Sequence, residues 1–154
     1  MARQHGVMRR RSQDGAAAVE FALLTPIIFL LVAGLLQYGL YFWAAQGASN
    51  AAREAARRAA VGDLKDCTAF RTYVRSRIDA VGNGNSATVT RTYSNGPSPN
   101  VAAKLEVGDV VTVGVTFNAV DLHLPLVPYP ANGTITQEAD ARVESVPDDT
   151  TGNC

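Results

Sequence analysis

This chain has little with which to do chemistry. Its 154 residues hold two histidines, two cysteines and one tryptophan. No HExxH, CxxC, GxSxG or phosphate-loop pattern occurs. Two cysteines without several partners do not make a zinc site. His5 falls in a basic leader, and His123 between Leu122 and Leu124 reads as a strand or loop histidine. Asn132-Gly133-Thr134 matches a glycosylation sequon, a pattern common by chance. An enzyme is therefore not expected, and neither is a cofactor or a metal. The basic stretches carry no interleaved aromatics and no nucleic-acid motif, so nucleic acid is not an expected partner. There is no internal repeat, and the length suits one modest domain.

Net charge is zero, but the charges are segregated. Arg3, Arg9, Arg10 and Arg11 precede a run from Ala16 to Ala45 in which Glu20, Thr25 and Gln37 are the clearly polar side chains. Residues 44–80 are basic, through Arg53, Arg57, Arg58, Lys65, Arg71, Arg75 and Arg77. Residues 81–154 are acidic, with Arg91, Lys104 and Arg142 outnumbered by Asp and Glu. A dipolar chain of this kind suits contact with other proteins or with lipid headgroups.

Residues 1–15 read as a basic cytoplasmic leader and 16–43 as a transmembrane helix. The stretch from Phe21 to Trp43 spans roughly 35 Å at about 1.5 Å per residue, enough for the bilayer core. Tyr38, Tyr41, Phe42 and Trp43 gather at one end, where an interfacial aromatic belt belongs. The arginine cluster at the other end keeps the N-terminus inside and sends the rest of the chain out. A cleaved secretory signal has a shorter apolar core. Ser12-Gln13-Asp14 after the arginines do not suit a twin-arginine signal. Pro26 removes one helical hydrogen bond, which membrane helices tolerate.

Alanine-rich residues 44–61 extend the helix, with Glu54 and Arg58 at i,i+4 spacing and Gly62 as the stop. The whole helix would be about 46 residues long, roughly 70 Å. Small side chains from Ala44 to Ala59 would permit close helix–helix approach. High helix propensity alone also explains them.

Residues 62–154 are expected to form an extracytoplasmic domain. A second short helix spans about Asp66 to Val81, with Phe70, Val74 and Ile78 on one stripe. Period-two alternation then marks strands near Ala87–Tyr93, Val111–Phe117 and Thr134–Val143, with Arg91 breaking the first apolar row. Ser94–Asn100 reads as a loop, Asp121–Gly133 as an irregular excursion, and residues 147–154 as frayed unless Cys154 ties them down. The fold class is α+β, a long N-terminal helix and a short one beside a small antiparallel sheet of three to four strands. Cys67 and Cys154 lie on the same side of the apolar run. They form a candidate disulfide if that side is oxidising, and are two free thiols otherwise.

Glu20 needs explaining, because an unpaired acid in a membrane helix costs about 2–3 kcal/mol at depth. A cut after Gly15 would place a new ammonium on Ala16, four residues earlier, and the helix N-terminus would add a favourable field. The basic leader, Gly15, four small or apolar residues, Glu20-Phe21 and the apolar helix resemble a type IV prepilin signal of the tight-adherence (Flp-type, IVb) branch. Gly15 to Pro26, Gln37-Tyr38-Gly39 and Asn50 to Arg57 further resemble the TadE-like family of pilus-assembly pseudopilins. That resemblance implies a bacterial inner-membrane protein processed between Gly15 and Ala16 by a separate prepilin peptidase. Glu20 and Phe21 would serve registry during assembly. Its partners would be membrane lipid, the peptidase and other pilins or pilus-assembly subunits. An uncleaved single-pass anchor presenting a binding domain needs the same helix, but not Gly15 and Glu20 in register.

Overall fold

The computed structural model describes residues 11–64, 66–94, 105–146 and 153–154. The leader up to residue 10, most of the loop expected at Ser94–Asn100 and the tail at 147–152 lie outside them. Three strands and two helices form an α+β arrangement in the order α1 (Arg11–Ala60), α2 (Cys67–Ile78), β1 (Thr88–Ser94), β2 (Val110–Asn118) and β3 (Thr134–Arg142). The long apolar helix, the short second helix and the antiparallel sheet are those the sequence predicts.

Helix α1 ends where its glycine requires. Gly62 adopts φ 75°, a left-handed conformation that a Cβ disfavours. Its N–H donates to the Ala59 carbonyl at 3.1 Å and the Asp63 N–H to the Arg58 carbonyl at 3.0 Å, which closes the last turn. Helix α2 starts on Asp66, whose carboxylate accepts from the Thr68 and Ala69 N–H groups, both at 2.8 Å. Its Phe70, Val74 and Ile78 are buried.

The sheet has the order β1-β2-β3, antiparallel throughout. Val89 pairs with Val115 and Tyr93 with Val111, while Phe117 pairs with Ile135 and Val113 with Ala139. On β2 the buried side chains are Val111, Val113, Val115 and Phe117, every second residue, as a sheet with one covered face requires.

The C-terminal half of α1 covers that face. Ala33, Gln37, Ala44, Ala48, Ala51, Ala52, Ala55, Ala56, Ala59 and Ala60 are buried in one helical stripe. They lie against the domain's own β2, β3 and α2. The close approach that these small side chains permit is therefore used within the chain. Gly47 shows how tight it is, since a Cβ there would come within 3.1 Å of all three Val81 side-chain carbons.

Candidate functional site

Helix α1 has two halves of different character. From Gly15 to Val32 every residue is exposed, and from Ala33 onward one face is covered by the domain. The helix from Gly15 to Ala60 is long and apolar enough to cross a membrane. Its free half carries Phe21, Leu23, Ile27, Ile28, Phe29 and Leu31 in the open.

Gly15, Ala16, Glu20 and Phe21 lie together in the first turns of that free half, all exposed. A Cβ at Gly15 would meet nothing within 4 Å. No packing inside the chain therefore demands glycine at this position. Ala16 and Glu20 are four residues apart and share a helix face. Among the described residues Glu20 forms no ion pair. A little further on, Pro26 lacks the N–H that would reach the Ala22 carbonyl. Next to it, the Thr25 hydroxyl donates to the Phe21 carbonyl, one residue earlier, at 2.7 Å, the i−4 bond that helical threonines make.

At the junction of the two halves sits a residue whose role the sequence does not reveal. Gln37 is 1% exposed. Its Nε2 donates to the Val120 carbonyl at 3.2 Å, and its Oε1 accepts from the Leu122 N–H at 3.0 Å. The amide side chain thus acts as a peptide group, pairing with one donor and one acceptor of the loop between β2 and β3. Tyr129 holds the other end of that loop. Its hydroxyl donates to the same Val120 carbonyl at 2.9 Å, and its ring meets Tyr41 edge-on at 6.0 Å. Burial raises the Tyr129 phenol above its usual value, with Asp121 adding to the effect. The available sequence signal was an amide side chain inside an apolar run.

Cys67 and Cys154 are joined, with Cα atoms 5.7 Å apart and a sequence separation of 87. The bond lies at the free edge of β1, and neighbouring contacts hold the same two terminal residues there. The Cys154 N–H donates to the Arg91 carbonyl at 2.7 Å, the Tyr93 N–H donates to Asn153 Oδ1 at 2.8 Å, and Arg71 donates to the Cys154 carbonyl at 2.6 Å. Asn153 and Cys154 therefore satisfy edge groups that would otherwise face solvent or another chain.

Arg91, which breaks the apolar row of β1, is fully buried. Its guanidinium lies 4.8 Å from the Phe70 ring centre and 5.4 Å from that of Tyr93, and donates to the Leu64 carbonyl. Burial lowers its pKa, opposed by Tyr93 and Asp66. It ties the segment between the helices to the sheet. Among the described residues no group of three or more His, Cys, Asp or Glu could hold a metal ion.

Fold and exposed helix together define the class: a small α+β domain built on one half of a helix whose other half is free and of membrane-crossing length. Residues 15–57 match the family model described as TadE-like protein. The match begins at Gly15 itself and ends near the close of α1, so it is carried by the helix and not by the sheet. No curated protein and no solved structure matches the chain. The family is pilus-associated and structural rather than catalytic, and the N-terminal apolar helix is the feature this chain shares with it.

Proposed function

We propose that this protein is a membrane-anchored minor pilin or pseudopilin of a tight-adherence (type IVb) pilus assembly system, processed by a prepilin peptidase after Gly15. The observation that carries the reading is the register of Gly15, Ala16, Glu20 and Phe21 on the free half of α1, at the point where the family match begins. The arginine leader stays in the cytoplasm, residues 16–43 serve as the span, and the disulfide-closed domain stands outside. The free half then has two successive uses. It first anchors the subunit in the inner membrane, and later packs among the helices of other pilins or assembly subunits. Once the leader is gone, the ammonium on Ala16 can neutralise Glu20, on its own helix or on a neighbour's. In either case the acid is no longer an uncompensated charge in an apolar setting.

A second reading keeps the leader and makes the chain an uncleaved single-pass anchor that presents a binding domain. It is favoured by the continuity of α1, which runs from Arg11 through Gly15 without a break. Co-expression with a prepilin peptidase, followed by mass measurement of the full chain, separates the two. A product beginning at Ala16, lost when Gly15 is replaced by a bulky residue, supports processing. An intact chain retaining its arginines supports the uncleaved anchor.

A further inference from the structure

The loop from Val120 to Tyr129 reads Val-Asp-Leu-His-Leu-Pro-Leu-Val-Pro-Tyr. It is apolar, yet the core does not absorb it. Val120, Leu122 and Leu126 are exposed, Leu126 to 87%. A segment that turns leucines outward needs an apolar neighbour that the isolated chain does not supply.

Its height along α1 says what that neighbour is. The Gln37 amide holds the start of the loop and Tyr129, against Tyr41, holds its end. At the same level the uncovered faces of α1 expose Leu35, Leu36, Phe42 and Trp43. Gln37 lies about 9 Å to the leader side of Trp43, at about 1.5 Å per residue. With Trp43 at the outer headgroups, the loop lies where amphipathic segments settle, about 5–10 Å into the headgroup–acyl boundary.

Part of the loop backbone is satisfied within the chain, and the N–H groups of Leu124, Leu126 and Tyr129 are left for headgroup or water oxygens at the boundary. Irregular backbone near hydrocarbon needs its polar groups satisfied. Val120 offers its carbonyl to both Gln37 and Tyr129, and Leu122 gives its N–H to Gln37. The His123 N–H bonds to Asp121 Oδ1 at 2.7 Å, and the Val127 N–H points to the Leu124 carbonyl at 3.4 Å. Pro125, Pro128 and Pro130 have no N–H to satisfy.

We propose that the Val120–Tyr129 loop is a second membrane contact, lying in the outer leaflet of a phospholipid bilayer beside α1 with Leu122 and Leu126 among the acyl chains. The proposal rests on the reading that α1 spans the membrane. Two contacts joined by the Gln37 clamp fix the tilt and rotation of the domain over the bilayer, which a single helix does not.

The test uses the full chain in phosphatidylethanolamine–phosphatidylglycerol vesicles. Trp43→Phe removes the native tryptophan, and one reporter is then introduced by Leu126→Trp, Leu122→Trp, Phe29→Trp or Val107→Trp. Lipids brominated on the acyl chain should quench at least half the emission of the Leu126→Trp, Leu122→Trp and Phe29→Trp proteins and leave Val107→Trp bright. Acrylamide should show the reverse order. Quenching of Phe29→Trp alone overturns the loop contact and leaves the span standing. Quenching of neither loop nor helix reporters removes the span and the loop contact with it. Loop reporters shielded from acrylamide but not quenched by bromine, in proportion to protein density, identify a second copy as the occupant and overturn the lipid assignment.

Discussion

Leu122 donates its backbone N–H to the side-chain Oε1 of Gln37 at 3.0 Å, across 85 residues of sequence. Together with the Nε2 bond to Val120, it fastens the loop between β2 and β3 to the helix at the point where the free half becomes the packed half. Gln37→Leu keeps the volume but leaves a carbonyl and an N–H without that partner. It should cost about 1–3 kcal/mol. Gln37→Glu can still accept from Leu122 but, when ionised, has no donor for Val120. Hydrogen exchange at the Leu122 amide should therefore be fast in Gln37→Leu and retain protection in Gln37→Glu. Equal exchange in both variants would show that the clamp is not the source of the order.

The Cys67–Cys154 bond closes a long segment, and chain-entropy reasoning allows up to about 4–5 kcal/mol for such a closure. Cys67→Ser should lower the denaturation midpoint and release Asn153 from Tyr93. Unreduced protein secreted into an oxidising compartment should take up no alkylating reagent, and should take up two equivalents after reduction and unfolding. Alkylation without reduction would show two free thiols.

Among the described residues Arg91 is a fully buried cation. Arg91→Met preserves much of the shape between Phe70 and Tyr93 but removes the donor to the Leu64 carbonyl. Its cost should be about 1–3 kcal/mol. Arg91→Ala also opens a cavity there and should cost about 3–5 kcal/mol. Denaturant titration of the detergent-solubilised chain measures both, and a smaller loss for Ala than for Met would contradict the packing role.

The elements legible in the sequence are those set by local rules. The length of the apolar run and Gly62 mark α1 and its end. The apolar stripe of Phe70, Val74 and Ile78 marks α2, and the valines of β2 alternate with the sheet's own period. What could not be read involves partners far apart in the chain. An alanine stripe has the same spacing whether it faces a neighbouring helix or the domain's own sheet, and here it faces the sheet. Gln37 and Arg91 interrupt apolar patterns, but the groups that satisfy them come from loops that sequence periodicity does not describe. Of the candidate site, Gly15, Ala16, Glu20 and Phe21 are named by the charge on Glu20 and by the resemblance, and the fold itself uses none of them. The Gln37 clamp joins groups 83 and 85 positions apart, which no local pattern marks.

Glu54 and Arg58 form an i,i+4 pair at 2.9 Å, and Arg58 also reaches Asp63 at 3.2 Å. The hydrogen bond from Arg58 holds the Glu54 carboxyl below its usual range. A depressed carboxylate favours the folded state above its unfolded pKa of 4.5 and loses that effect as pH falls through the folded value. Both side chains are more than a third exposed, so the change should be small and salt-sensitive. Thermal midpoints followed from pH 6 down to about pH 3 should fall less steeply in Glu54→Gln than in the parent chain. Identical slopes would assign no pH-dependent role to the pair.

Glu20 tests the proposed assembly role most directly, because it is exposed and the fold does not use it. Glu20→Ala should leave the domain, the disulfide and membrane insertion unchanged, since removing a charge from an apolar helix favours insertion. Assembly should suffer if Glu20 pairs with the ammonium on a neighbour's Ala16. Piliation counts or cross-linking to pilus subunits should then drop severalfold, while the amount of membrane-bound, processed protein stays level. Glu20→Asp keeps the charge on a shorter arm and should recover part of the loss, whereas Glu20→Gln should not. Normal piliation with Glu20→Ala would remove the pairing and leave the free half of α1 as an anchor alone.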